Sequence, residues 1–94
     1  MLINAQKRQQ LKANAHHLQP VVTIGAKGLT DNVILEIDGA LTAHELIKVK
    51  IAGADKTSRV EMADKVAVAM RCLVVGHIGN IAILYRKKPN NTKK

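Results

Sequence analysis

Pro20-Val-Val-Thr-Ile-Gly-Ala-Lys-Gly-Leu-Thr-Asp31 carries three structural signals in succession. Pro20 cannot continue a helix and biases the residue before it toward extended backbone. The β-branched run Val21–Ile24 reads as a short strand. Gly25-Ala-Lys-Gly28 then reads as a tight loop. Thr30 supplies a helix N-cap, and Asp31 sits where the positive end of a helix dipole favours an acid. Strand, glycine loop and helix start, in that order, make the repeating joint of an α/β chain.

Upstream, Asn4 caps a helix running to about residue 17, with Leu11, Ala15 and Leu18 as its apolar stripe and Lys7, Arg8 and Lys12 mostly off it. Downstream, Leu29, Val33, Ile34, Ile37 and Leu41 form the buried face of a second helix. Gly39 lies within that helix at a cost of about 1 kcal/mol relative to Ala, which points to close packing or an early end. Glu45–Ile51 reads as a strand with Lys48 and Lys50 on one face, and Gly53 breaks it. Ser58 and Glu61 form an S-x-x-E capping box at or just inside the start of a third helix, whose stripe is Val60, Ala63, Val66, Ala67 and Met70. Cys72–Ile78 and Ile81–Tyr85 read as strands joined by a Gly79-Asn80 hairpin turn. The predicted order is α-β-α-β-α-β-β. It implies an α/β fold with a mixed four-stranded sheet covered by helices, two parallel crossovers and a final antiparallel hairpin. Residues 1–86 make one domain and residues 87–94 a basic tail without apolar residues.

The 94 residues carry 15 Lys plus Arg against 7 Asp plus Glu, a formal charge of +8, and 47% of them are hydrophobic. That composition fits a soluble globular domain. No apolar run reaches membrane-spanning length, and no export signal opens the chain, so the cytoplasm is the expected compartment. The excess charge sits at the ends. Residues 1–28 hold Lys7, Arg8, Lys12 and Lys27 with no acid, and residues 86–94 hold Arg86, Lys87, Lys88, Lys93 and Lys94 with none. Residues 29–85 come to −1. A basic balance of this size makes nucleic acid or an anionic surface the first partner to consider. For the tail, an RNA-contacting arm and a merely solvated terminus are equally compatible with the composition. Tyr85 is the single aromatic residue, which argues against modules that stack bases on exposed rings.

Gly25-x-x-Gly28 sits between a strand and a helix start with Lys27 at its tip. Glycines there allow close backbone approach, and the helix that follows attracts phosphate. Gly76-x-x-Gly79 has the same spacing but opens a hairpin turn, so its role is structural, with Gly76 marking a bulge or close approach. Neither a phosphate-binding Walker loop nor a dinucleotide fingerprint is present. His16, His17, His44 and His77 show no metal-ligand spacing, and no cofactor or metal is expected. Ser58 is explained by capping and Cys72 by packing, so no catalytic constellation is expected either.

Leu11-Lys-Ala-Asn-Ala-His-His-Leu-Gln-Pro-Val-Val-Thr-Ile-Gly-Ala-Lys-Gly-Leu-Thr30, His44-Glu-Leu-Ile-Lys-Val-Lys-Ile51, Val75-Gly-His-Ile-Gly79 and Ile83-Leu-Tyr-Arg86 together resemble the CRM domain family, in its bacterial single-domain YhbY-type form. The resemblance spans residues 4–86. It implies a fold similar to the C-terminal domain of translation initiation factor three, with a leading helix. It also implies RNA binding through the Gly25, Ala26, Lys27, Gly28 loop and nearby basic surface, for which Lys7, Arg8, Lys12, Arg86, Lys87 and Lys88 are the candidates. Bacterial relatives of this kind associate with precursors of the large ribosomal subunit. A non-catalytic monomer binding ribosomal RNA is therefore expected, the alternative being a basic adaptor for a protein partner.

Overall fold

In the computed structural model, which describes residues 3–53 and 55–87, the chain runs α1 (Ala5–Ala15), β1 (Pro20–Ile24), α2 (Asp31–His44), β2 (Leu46–Ile51), α3 (Lys56–Met70), β3 (Leu73–Ile78) and β4 (Ile81–Tyr85). The expected element order and mixed four-stranded sheet are both present. The strands lie in the order β1-β2-β4-β3. β1 and β2 are parallel, and β4 pairs antiparallel with both β2 and β3. β2 and β3 therefore run the same way, but β4 lies between them.

Each helix start is held by a side chain. Asn4 Oδ1 accepts from Lys7 N at 2.7 Å and Thr30 Oγ1 from Val33 N at 3.2 Å, as the residue pattern implies. The start of α3 differs from expectation. Its N-cap is Asp55, whose Oδ1 accepts from Ser58 N at 2.8 Å, so the helix begins about a turn before the Ser58–Glu61 box would place it. An Asp cap is as effective as Ser and gains from the helix dipole as well. Gly39 neither packs closely nor ends its helix: a Cβ there would meet nothing within 4 Å, and α2 continues to His44. Glu45 is not the first strand residue. At φ 64° it turns the chain from α2 straight into β2, and its carbonyl accepts from Arg86 N at 2.9 Å.

The sheet is covered on both faces. α2 and α3 bury Ile37, Leu41, Ala63, Val66 and Met70 against Val22, Ile24, Ile47, Val49, Ala82 and Leu84. α1 buries Leu11 and Ala15 against Val75, Ile83 and Tyr85 on the other face. Lys48 and Lys50 do share a face, but Lys48 is buried beneath the chain leaving α1, where its Nζ donates to Leu18 O at 3.1 Å. Lys50 is exposed. The bulge expected near Gly76 is a register shift between Val74 and Gly76. Close approach is present too, since a Cβ on Gly76 would lie 2.8 Å from Lys12 Cε. No helix among the described residues is long and apolar enough to cross a membrane.

Two substitutions should move stability in opposite directions. Gly39→Ala places a better helix former in an open helical position and should stabilise by about 0.5–1 kcal/mol. Arg86→Ala should destabilise by about 1.5–3 kcal/mol, the scale for hydrogen bonds to a charged group, because Arg86 Nη1 donates to Asp38 Oδ1 and Met70 O and Nη2 to Asp38 O and Thr42 Oγ1. Arg86→Lys should recover little of that loss, since an ammonium cannot fork across these acceptors. Urea midpoints at constant m-value measure all three.

Candidate nucleic-acid interface

Gly25–Gly28 closes as a four-residue turn, with Gly28 N donating to Gly25 O at 3.0 Å. Ala26 and Lys27 occupy its exposed tip. Gly28 has φ +72°, a conformation costly for any residue with a Cβ, so its glycine is a requirement of the fold. Gly25 is different. Its φ is not in the left-handed region, and a Cβ there would meet nothing within 4 Å. The turn leads directly into Thr30 and the positive end of α2.

Parallel β1 and β2 end side by side at Ile24 and Ile51. Ala52 N donates to Ile24 O at 2.9 Å and Ile51 N to Asn80 O at 2.8 Å, which ties the loops after β1 and β2 to the β3–β4 hairpin. A groove of about 240 Å³ lies between the glycine turn and the start of α3, lined by Gly25, Ala26, Gly28, Gly53, Ser58 and Met62. A second cleft, of about 490 Å³, opens beside it and is lined by Lys56, Arg59, Val60, His77 and Gly79. The Asp55 carboxyl at this end is held below its ordinary range, first by the Ser58 N–H and then by the Ser58 hydroxyl, with a smaller contribution from Arg59.

The expected basic residues do not form one patch. Lys7 Nζ lies 5.8 Å from the Tyr85 ring centroid, at the far end of β4 from the glycine turn. Arg8 Nη1 donates to Val74 O at 3.1 Å and Val75 O at 2.8 Å, so its guanidinium pins α1 to the bulge of β3. Lys12 is exposed and reaches along the same strand to Gly76. Arg86 also lies at the far end, engaged with α2 and the last turn of α3; its ion pair with Asp38 is 2.8 Å long. Lys87 is exposed, and Lys88 lies outside the described residues, as does the rest of the tail. Of the residues expected at the site, Gly25, Ala26, Lys27 and Gly28 are thus gathered at one end of the sheet, while Arg8 and Arg86 hold the fold together.

Lys56, Arg59 and His77 join the glycine turn at that end, yet charge counting does not find them because they lie in the segment of net −1. The available signal is topological: loops that follow adjacent parallel strands converge at the carboxyl ends of those strands. Cys72 offers no nucleophile, since burial pushes its thiol up to about 11 against an opposing effect from Arg86.

The two glycines should respond differently to substitution. Gly28→Ala should cost about 1–2 kcal/mol of stability through its left-handed backbone. Gly25→Ala should leave the thermal melt within about 0.5 kcal/mol of the parent.

Residues 3–86 match the CRS1 / YhbY (CRM) domain. A Haemophilus influenzae protein named an RNA-binding protein is 44% identical over 84 residues, covering 89% of this chain and 85% of that one. A Pseudomonas aeruginosa protein named a probable RNA-binding protein is 39% identical over 93 residues, covering 99% and 89%. The Bacillus subtilis protein YqeI, also named a probable RNA-binding protein, is 37% identical over 91 residues, covering 97% and 94%. The solution structure of a Staphylococcus aureus protein, provisionally described as RNA-binding, superposes with a TM-score of 0.84 at 30% identity, covering 97% of this chain and 95% of that one. With its whole α/β domain inside the matched span, the chain belongs to the CRS1 / YhbY (CRM) domain family.

Proposed function

We propose that this chain is a non-catalytic, monomeric RNA-binding protein of the cytoplasm that grips precursor RNA of the large ribosomal subunit during assembly. The observation that carries the reading is Gly25. Its backbone conformation does not demand glycine, and no neighbour in the fold would meet a Cβ there. A glycine with no internal reason, on an exposed turn before a helix N-terminus, fits a position that a ligand's backbone approaches closely. Lys27 at the tip supplies the mobile charge, and the ligand class follows from the phosphate chemistry of this site. Relatives named as RNA-binding proteins support the same class. The ribosomal assignment rests on the family resemblance.

In this reading phosphate contacts supply affinity and RNA shape supplies much of the selectivity. Lys7, Lys12 and Lys87 extend the positive field without touching the turn, and Arg8 and Arg86 stay with their carbonyl and carboxylate partners. The approach of a phosphate to the turn depends on Gly25 having no side chain, so Gly25→Ala should weaken RNA binding even though the fold tolerates it.

Ala26→Asp combined with Lys27→Asp puts two negative charges where a phosphate should approach. RNA affinity should fall at least tenfold, about 1.4 kcal/mol, with stability changed by no more than about 0.5 kcal/mol. For the parent, engagement of about five phosphates gives a slope of log K against log[salt] of roughly −3.5 on single strands. Filter-binding titrations across a salt series, with thermal melts of both proteins, test the reading. Unchanged affinity in a normally melting double variant, or a flat salt response, removes the turn from the interface.

A further inference from the structure

The first turn of α3 gathers positive charge. Cations at a helix N-terminus oppose the helix dipole, and helices ordinarily place acids there. α2 begins with Asp31, whereas α3, like α1, has no acid in its first turn, its acid being the N-cap Asp55, and carries Lys56 and Arg59 there. Asp55 supplies the acid at this helix start, its carboxylate accepting from the N–H and hydroxyl of Ser58 with Arg59 close enough to act on it.

Both cations line the 490 Å³ cleft, a volume within the range of small-molecule sites. The same turn separates it from the groove under the glycine loop: Ser58 lines the groove, while Lys56 and Arg59 line the cleft. The opposite wall is His77 with Gly79, and Val60 gives the cleft an apolar side. Tyr85 is buried at the opposite end of β4, and the exposed His77 presents its ring at this end of the sheet. A planar ring, an apolar wall and two cations at one concavity match the parts of an unpaired nucleotide, base on one side and phosphate on the other.

We propose that this cleft is a nucleotide subsite, taking one unpaired nucleotide of the RNA strand whose neighbouring phosphate crosses the Gly25–Gly28 turn. The base lies against His77 and Val60, and its phosphate meets Lys56 and Arg59. The proposal rests on the RNA-binding reading above and adds single-strandedness to it, since a base held in a duplex cannot enter a cleft.

The test is an NMR titration of the full chain with a short oligouridylate and, separately, a blunt RNA duplex, joined to binding by two variants. Lys56→Glu restores the acid that a helix start prefers, and His77→Ala removes the ring. With oligouridylate, the amides of Lys27 and Gly28 and those of Lys56, Arg59 and Gly79 should move together at one affinity. Each variant should melt normally, lose about tenfold in affinity for the single strand, and change by less than about twofold for the duplex. Movement at the glycine turn with a silent cleft, parent-like single-strand binding by both variants, or equal losses on the two RNAs would overturn the subsite and leave the RNA-binding reading standing. Resonances that move with neither RNA would overturn both.

Discussion

Two backbone hydrogen bonds at one end of the sheet decide what this molecule can present to a partner. Ala52 N to Ile24 O continues the parallel β1–β2 ladder past its last residue pair, and Ile51 N to Asn80 O joins β2 to the β3–β4 hairpin. Because β1 and β2 are parallel, the loops that leave them leave from the same side. The glycine turn, the start of α3 and the hairpin tip are therefore neighbours despite lying far apart in sequence. None of these loops has a core of its own, so their mutual position comes from the ladder beneath them.

The opposite end has a different task. Arg86 reaches from the end of β4 to Asp38 and Thr42 on α2 and to the carbonyl of Met70 at the last turn of α3. Arg8 does the equivalent for α1, occupying the two carbonyls of Val74 and Val75 beside the β3 bulge. Each guanidinium donates to main-chain oxygens of neighbouring elements. The basic character of the chain thus has two physical meanings: exposed charge, at the glycine turn and elsewhere on the surface, and internal hydrogen bonding through Arg8 and Arg86.

This division explains what could and could not be read from the residues alone. Caps, apolar stripes and the Gly79-Asn80 turn are local, and they place nearly every element within a residue or two. The family resemblance reaches the fold by the same local motifs. Asp55 displaced the Ser58 capping box because two capping candidates lay three residues apart, and spacing does not rank them. Strand order is non-local, and nothing in the spacing of β2, β3 and β4 says that the last strand lies between the other two. The roles of Arg8 and Arg86 were hidden for the same reason. Arg8 is 66 residues from Val74, and the groups it meets there are carbonyls, which every residue possesses. Lys56, Arg59 and His77 join the candidate interface only when the parallel strands bring their loops together.

The insertion of β4 between β2 and β3 also constrains how the protein can be made. β2 and β3 have no ladder with each other, so the sheet cannot be completed before residues 81–85 are available to pair with both. During synthesis, the first three quarters of the chain can form helices and the β1–β2 pair. Those elements would still leave one edge of β2 unpaired and the apolar faces of Ile47 and Val49 partly uncovered. An open strand edge of this kind is a template for unwanted pairing with another chain. Completion of the domain is therefore expected as a single late event, triggered when the final strand leaves the ribosome.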